Sequence, residues 1–143
     1  MKTVQEILEE KGRTVWTISP GASVREALLR MAEYNVGALV VIEGNRIVGV
    51  ISERDYARKV VVKAQTSLEI PVEDIMARDP RCVMPQQTIG DCMALMTDKY
   101  VRHLPVLEGD SLAGIVSIGD LVKSIIRAQE SKIDELESLI YGA

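Results

Sequence analysis

One heptapeptide pattern occurs twice in this chain. Gly49-Val50-Ile51-Ser52-Glu53-Arg54-Asp55 returns as Gly114-Ile115-Val116-Ser117-Ile118-Gly119-Asp120, 65 positions further on. The same offset aligns Pro20 with Pro85, Met31 with Met96, Val36 with Val101, Leu39 with Leu104 and Val41 with Val106. Glu43-Gly44 meets Glu108-Gly109. A period of this kind marks two copies of one supersecondary unit that must stack to bury their open faces. It predicts two equivalent sites, or one site and a decayed counterpart.

Each copy repeats one order of elements. Val15–Ile18 is a short β-rich run ended by Ser19-Pro20-Gly21. Ser23 offers an N-cap, and Val24, Ala27, Leu28 and Met31 fall at helical spacing through Tyr34. Ala38–Ile42 reads as a buried strand, Glu43-Gly44-Asn45 as a turn and Ile47–Ile51 as a second strand. Ser52 then opens a helix through about Val62. The second copy matches, with Cys82-Val83-Met84, a helix from Thr88, strands at 104–107 and 112–117, and a long final helix. The expected fold is therefore α/β (α+β), two β-α-β-β-α repeats packed face to face about a pseudo-twofold axis. Residues 1–65 form the first repeat, 66–127 the second and 128–143 a helical extension. Residues 63–71 read as a connector. Val4–Leu8 and Val72–Met76, related by 68 rather than 65, read as short helical lead-ins. In the extension Ile126, Ile133 and Ile140 are seven apart, with Leu136 and Leu139 beside them. That stripe suits a helix lying on its own domain or a self-association surface.

Composition narrows the functional classes. The chain of 143 residues has no Phe and one Trp, so aliphatic side chains must build its core. Met31, Met93 and Met96 belong there as gap fillers. A net charge of −4 argues against general attraction to nucleic acid. Cys82 and Cys92 lack metal-ligand spacing and read as reduced, small core residues. The N-terminal residues carry no apolar signal region, and no run reaches membrane-spanning length. The expected location is the cytoplasm, or an organelle matrix where a transit peptide has been removed. With His103 as the one histidine, a two-histidine metal site is impossible. Ser52 with Asp55, and Ser117 with Asp120, have no neighbouring base, so no catalytic residue, catalytic cofactor or metal is assigned.

The plain reading of Ser-x-x-Asp is a capping box, in which hydroxyl and carboxylate satisfy amides of the first helical turn. The same geometry can serve a ligand. A strand ending at a helix N-terminus presents N–H groups to anions, and a carboxylate beside it can accept ribose hydroxyls.

Both copies of Gly-h-h-Ser-x-x-Asp resemble the signature of CBS domains, the domain named after cystathionine β-synthase. Arg102-His103-Leu104-Pro105-Val106 is similar to that family's second signature strand, and Asp79-Pro80 through Met84-Pro85 to its repeat opening. The resemblance covers nearly the whole chain and points to small stand-alone CBS-pair proteins. It implies two clefts between the repeats that take an adenine nucleotide such as AMP, ADP, ATP, NAD or S-adenosylmethionine. It implies crosswise sites: Ser52 and Asp55 facing Cys82, Val83 and the strand Val101-Arg102-His103-Leu104-Pro105, with Leu104 and Pro105 counted among the ligand contacts. Ser117 and Asp120 would face Thr17 in the run Val15-Trp16-Thr17, and Val36, Gly37 and Ala38. The aspartate would hold the ribose and apolar strands the adenine.

The two clefts differ. Arg54, Arg102 and His103 stand where the second has Gly119, Gly37 and Ala38, so the Asp55 cleft is the more basic. Arg58 and Lys59 read as a solvated helix face or as further phosphate partners. His103 reads as a cleft residue, a satisfied half-buried residue or a pH switch. The resemblance further implies a homodimer and a regulatory, energy-sensing role exerted on a separate enzyme or other protein. The alternative is a structural homodimeric scaffold with vestigial clefts.

Overall fold

The apolar runs of each repeat become one hairpin in the computed structural model, which describes residues 2–61 and 68–142. In the first unit β2 (Ala38–Glu43) pairs antiparallel with β3 (Arg46–Ser52), from Ala38 opposite Ser52 to Glu43 opposite Arg46. In the second, β5 (His103–Glu108) pairs with β6 (Ser111–Ser117), from His103 opposite Ser117 to Glu108 opposite Ser111. The repeat extends to the irregularities: the registers shift between Val41 and Ile42 and between Val106 and Leu107. Gly44 and Gly109 close the turns at φ 63° and 64°, a region that costs glycine no steric penalty.

The helices start where their caps predict. Ser23 accepts from the Glu26 amide at 3.1 Å to begin α2 (Val24–Tyr34). Thr88 and Asp91 form a reciprocal box that begins α4 (Ile89–Lys99). One apolar face of each is buried: Val24, Ala27 and Met31 in the first core, Ile89, Cys92 and Met96 in the second.

The opening strands are shorter than their sequence suggests. Val15–Ile18 contracts to β1 (Thr17–Ile18), parallel to β2, and Cys82–Met84 to a single parallel bridge between Val83 and Val106. Proline explains the difference between the copies. In the first, the Val40 amide donates to the Trp16 carbonyl at 3.2 Å. The equivalent of Val40 is Pro105, which has no N–H to give. The Arg81 end of the second opening segment is thereby left off the ladder.

The two lead-ins are exchanged. Helix α1 (Val4–Lys11) sends Val4, Ile7 and Leu8 into the core of the second unit, among Val83, Ile89, Leu104 and Leu121. Val72, Ile75 and Met76, around a 3₁₀ turn at Val72–Asp74, enter the core of the first, among Ile18, Leu39 and Ile51. Short β4 (Ala77–Arg78) completes the first sheet beside β3, giving the order β1-β2-β3-β4. This exchange accounts for the glycine that opens each signature. A Cβ on Gly114 would lie 2.7 Å from Leu8 Cδ2; one on Gly49 would lie 2.5 Å from Met76 Sδ and 2.8 Å from the Ala77 carbonyl. Each glycine admits the lead-in that crosses from the other repeat, and Leu8 and Met76 are related by the lead-in offset of 68.

The helix opened by Ser52 is short. It comprises α3 (Glu53–Tyr56) followed by a π turn at Ala57–Val61; 62–67, with most of the expected connector, lie outside the described residues. A π turn widens the helix, a form often found at functional sites. The last helix, α5 (Ile118–Tyr141), is continuous over 24 residues. Leu121 and Ser124 are buried against the second unit, whereas every residue from Ile126 to Gly142 is exposed, so the extension does not lie on its own domain. Cys82 and Cys92 are both free thiols, and burial first, with Asp91 second, pushes the Cys92 thiol up to about 11. Among the described residues no helix is long and apolar enough to cross a membrane.

Candidate functional site

Both Ser-x-x-Asp motifs are complete capping boxes. The Ser52 amide donates to Asp55 Oδ2 at 2.9 Å and the Asp55 amide to Ser52 Oγ at 3.3 Å. The Ser117 and Asp120 bonds are 2.8 and 3.2 Å. The next amide of each helix is also satisfied by the facing strand. Glu53 N donates to the Gly37 carbonyl at 3.1 Å, and Ile118 N to that of Arg102 at 2.9 Å. These bonds pin each helix start to the residue just before the neighbouring strand, Gly37 ahead of β2 and Arg102 ahead of β5.

Beside the first cap lies a cavity of about 700 Å³, within the range of small-ligand sites. Ser52, Arg54, Asp55, Val101, Arg102 and His103 line it together. Arg58 and Lys59 line it too. Lys59 Nζ stands 3.6 Å from Asp55 Oδ1 and donates to the Ile75 carbonyl at 2.9 Å.

The other expected wall is different. Cys82 lines a separate 920 Å³ hollow between the two hairpins, with Ile42, Arg46, Leu107 and Leu112. Val83 and Leu104 are fully buried in the second core, and Pro105 is buried. Apolar β-branched and leucine side chains facing inward satisfy the core at the expense of the cleft. The segment Ala77–Arg81 supplies that wall instead, with Lys99 and Tyr100 closing the end. Gly37, expected at Asp120, lines the Asp55 cavity, its Cβ position 3.7 Å from His103 Nε2 and from Glu53 Oε1. Val36 and Gly37 also border a 270 Å³ hollow with Glu53 and Met31, while Ala38 is buried and Thr17 half-buried. The repeat offset carried a signal for the missed residues: Arg81 and Lys99 stand at the positions of Trp16 and Tyr34.

Charge in the cavity runs against that of the chain. Seven cationic side chains (Arg54, Arg58, Lys59, Arg78, Arg81, Lys99 and Arg102) line it against the carboxylates of Glu53, Asp55 and Asp79. Loss of hydration, then repulsion from Arg58 and Arg102, lowers the pKa of Arg54, which stays protonated as guanidinium groups do.

His103 sits between the two caps. Burial is the main cause holding its pKa below the ordinary 6.5, aided by Lys11 and Arg102 and opposed by Asp120 and Asp55. The unfolded chain therefore binds more protons than the folded one just below pH 6.5, so stability falls as pH drops through that value toward the lower folded one. The urea midpoint is expected to decline between pH 7.5 and 5.5, and to decline less in His103→Gln. An equal slope in the variant would assign the loss to other groups.

The second cap is occupied from within. Lys11, at the end of α1, places Nζ 2.7 Å from Asp120 Oδ2 and donates to the Ile115 carbonyl at 2.8 Å. Burial raises the Asp120 pKa, but Lys11 and the Ser117 bonds outweigh it and hold the carboxyl below its ordinary 3.8. Where the first cleft has Arg81 and Lys99, Trp16 and Tyr34 stack with ring centroids 3.6 Å apart and planes 5° from parallel. Lys11 escaped the sequence reading because lead-in exchange brings it across from the other repeat.

Comparison with known proteins identifies the fold. The family model for the CBS domain matches residues 4–62 and 72–127. The Arabidopsis thaliana protein described as CBS domain-containing protein CBSX3, mitochondrial, is 33% identical over 98% of this chain and 72% of its own length. A solved structure of a putative signal-transduction protein with CBS domains from Burkholderia ambifaria is 48% identical, covers 90% of this chain and 96% of that one, and superposes with a TM-score of 0.84. The solved CBS domain pair of protein MJ0100, in complex with methylthioadenosine and S-adenosyl-L-methionine, shares the fold at 20% identity and a TM-score of 0.76, over 87% of this chain and 96% of that one.

Proposed function

The chain belongs to the CBS domain family, as a pair of repeats, and from that premise we propose that it is a regulatory module that binds an adenine nucleotide and acts through a separate protein. The observation that carries the reading is the 700 Å³ cavity at the Ser52–Asp55 cap, lined by seven cationic side chains in a chain of net charge −4. Asp55 accepts from the ribose hydroxyls, as a carboxylate fixed by its own cap can. Val50, Ala77 and Val101 offer apolar contact to the base. Arg54, Arg81 and Arg102 bracket the phosphates through forked, charge-assisted hydrogen bonds. The neighbour that holds methylthioadenosine and S-adenosyl-L-methionine supports the adenosine class of ligand.

Titration calorimetry of the purified chain with AMP, ADP, ATP, NAD and S-adenosylmethionine tests the reading. One site per chain is expected, with affinity falling as salt rises. Absence of heat or thermal shift with every member would favour the scaffold alternative. The second cleft is expected to stay silent because Lys11 already neutralises Asp120. Lys11→Met is expected to raise the stoichiometry from one to two; an unchanged value would mean that Lys11 is not the obstacle.

A further inference from the structure

The stripe at the end of the chain has no role in either repeat. At about 100° per residue, Ile118, Leu121 and Ile125 define the face of α5 turned to the second unit. Val122, Ile126, Ile133, Leu136 and Ile140 centre roughly 70° around the helix from it, with Leu136 about five turns above Ile118. They are 43%, 48%, 54%, 50% and 72% exposed. This second face begins while the helix is still seated on its domain, so it is not a continuation of intradomain packing. From Ile126 to Tyr141 it runs about 24 Å in solvent.

We infer that this face is a parallel, two-stranded helical seam with a second copy of the chain. Ile126, Ile133 and Ile140 occupy one heptad position, and Val122, Gln129 and Leu136 the other. Within parallel coils, isoleucine at the first position with leucine at the second, here Leu136, favours two strands over three or four. Gln129 meets its own counterpart in register, where two amides can bond, and a polar residue at such a position fixes register. Flanking charge agrees. Lys132 of one helix faces Glu137 of the other in a parallel pair, twice by symmetry. Antiparallel pairing of the same seam keeps a Lys123–Glu137 contact but sets Lys132 against Lys132 and Glu130 against Glu130. The seam is too short to hold helices together alone, so it acts with two folded bodies at the same end.

The test uses the full chain carrying Cys82→Ser; buried Cys92, with its raised thiol pKa, stays unreactive. Under mild oxidation Leu136→Cys is expected to form a disulfide-linked dimer at least tenfold faster than Ser138→Cys on the outer face. Ile133→Asp, an exposed position, is expected to abolish that cross-link and to weaken self-association tenfold or more by sedimentation equilibrium, with the native circular dichroism spectrum retained. Equal cross-linking at 136 and 138 would overturn the inference, as would association unaffected by Ile133→Asp. Preferential linkage of Ile126→Cys chains to Leu136→Cys chains would mean antiparallel pairing and would also overturn it.

Discussion

Asp55→Ala is expected to weaken binding of AMP or ATP by about two orders of magnitude, and Asp120→Ala by less than about threefold. The size follows from two ribose hydroxyls donating to one carboxylate, each bond to a charged group contributing about 1.5 kcal/mol or more. The asymmetry follows from Lys11, which engages Asp120 at 2.7 Å, while the nearest cation to Asp55 stands at 3.6 Å. Asp55 also accepts from the Ser52 amide as the third-position partner of the α3 capping box, so its loss costs about 1 kcal/mol of local stability. A second variant separates the effects. Arg102→Ala removes no cap, and is expected to weaken AMP and ATP by about tenfold to a hundredfold while leaving adenosine unchanged. Titration calorimetry of the three ligands reads both. If Asp120→Ala removes binding and Asp55→Ala does not, the sites are assigned the wrong way round.

How far the sequence carried this site depended on which chain segments build it. The hairpin, its register and the two caps follow from local rules, and the repeat doubles each signal. That Ser52 and Asp55 face Arg102 and His103 is not among those local signals and comes only from the resemblance to CBS domains. The failures share one physical cause. Contacts made by the lead-ins depend on which repeat each crosses to, and no local pattern records that. Lys11 and Ala77–Arg81, the segments that follow the two lead-ins, were accordingly missed as neighbours of the caps. Cys82, Val83, Leu104 and Pro105 are expected at the cleft only through the crosswise sites that the resemblance implies. Alternation along a strand turns Leu104 inward where His103 faces the cavity. The widened turn at Ala57–Val61 was equally invisible, since its residues read as an ordinary helix face.

The exchange of lead-ins yields the largest expected effect on stability. Leu8 lies in the first repeat by sequence, yet it is 1% exposed within the core of the second. Leu8→Ala is expected to cost about 2–5 kcal/mol, the range for leucine truncation in a packed core. At roughly 3 °C per kcal/mol for a chain of this size, the thermal midpoint should fall by about 10 °C. Leu29→Ala, at a leucine that is 63% exposed, should move it by little. Gly114→Ala alone is also expected to destabilise, because the new methyl would sit 2.7 Å from Leu8 Cδ2. Combined, the two changes should compensate: shortening Leu8 makes room for the methyl, and the methyl fills part of the space that Leu8 leaves. A double-mutant cycle by urea denaturation should therefore show the pair less destabilised than the sum of its members, by about 1 kcal/mol or more. Additivity within error would mean that Leu8 and Gly114 do not touch, and the crossed packing that explains the signature glycines would fall with it.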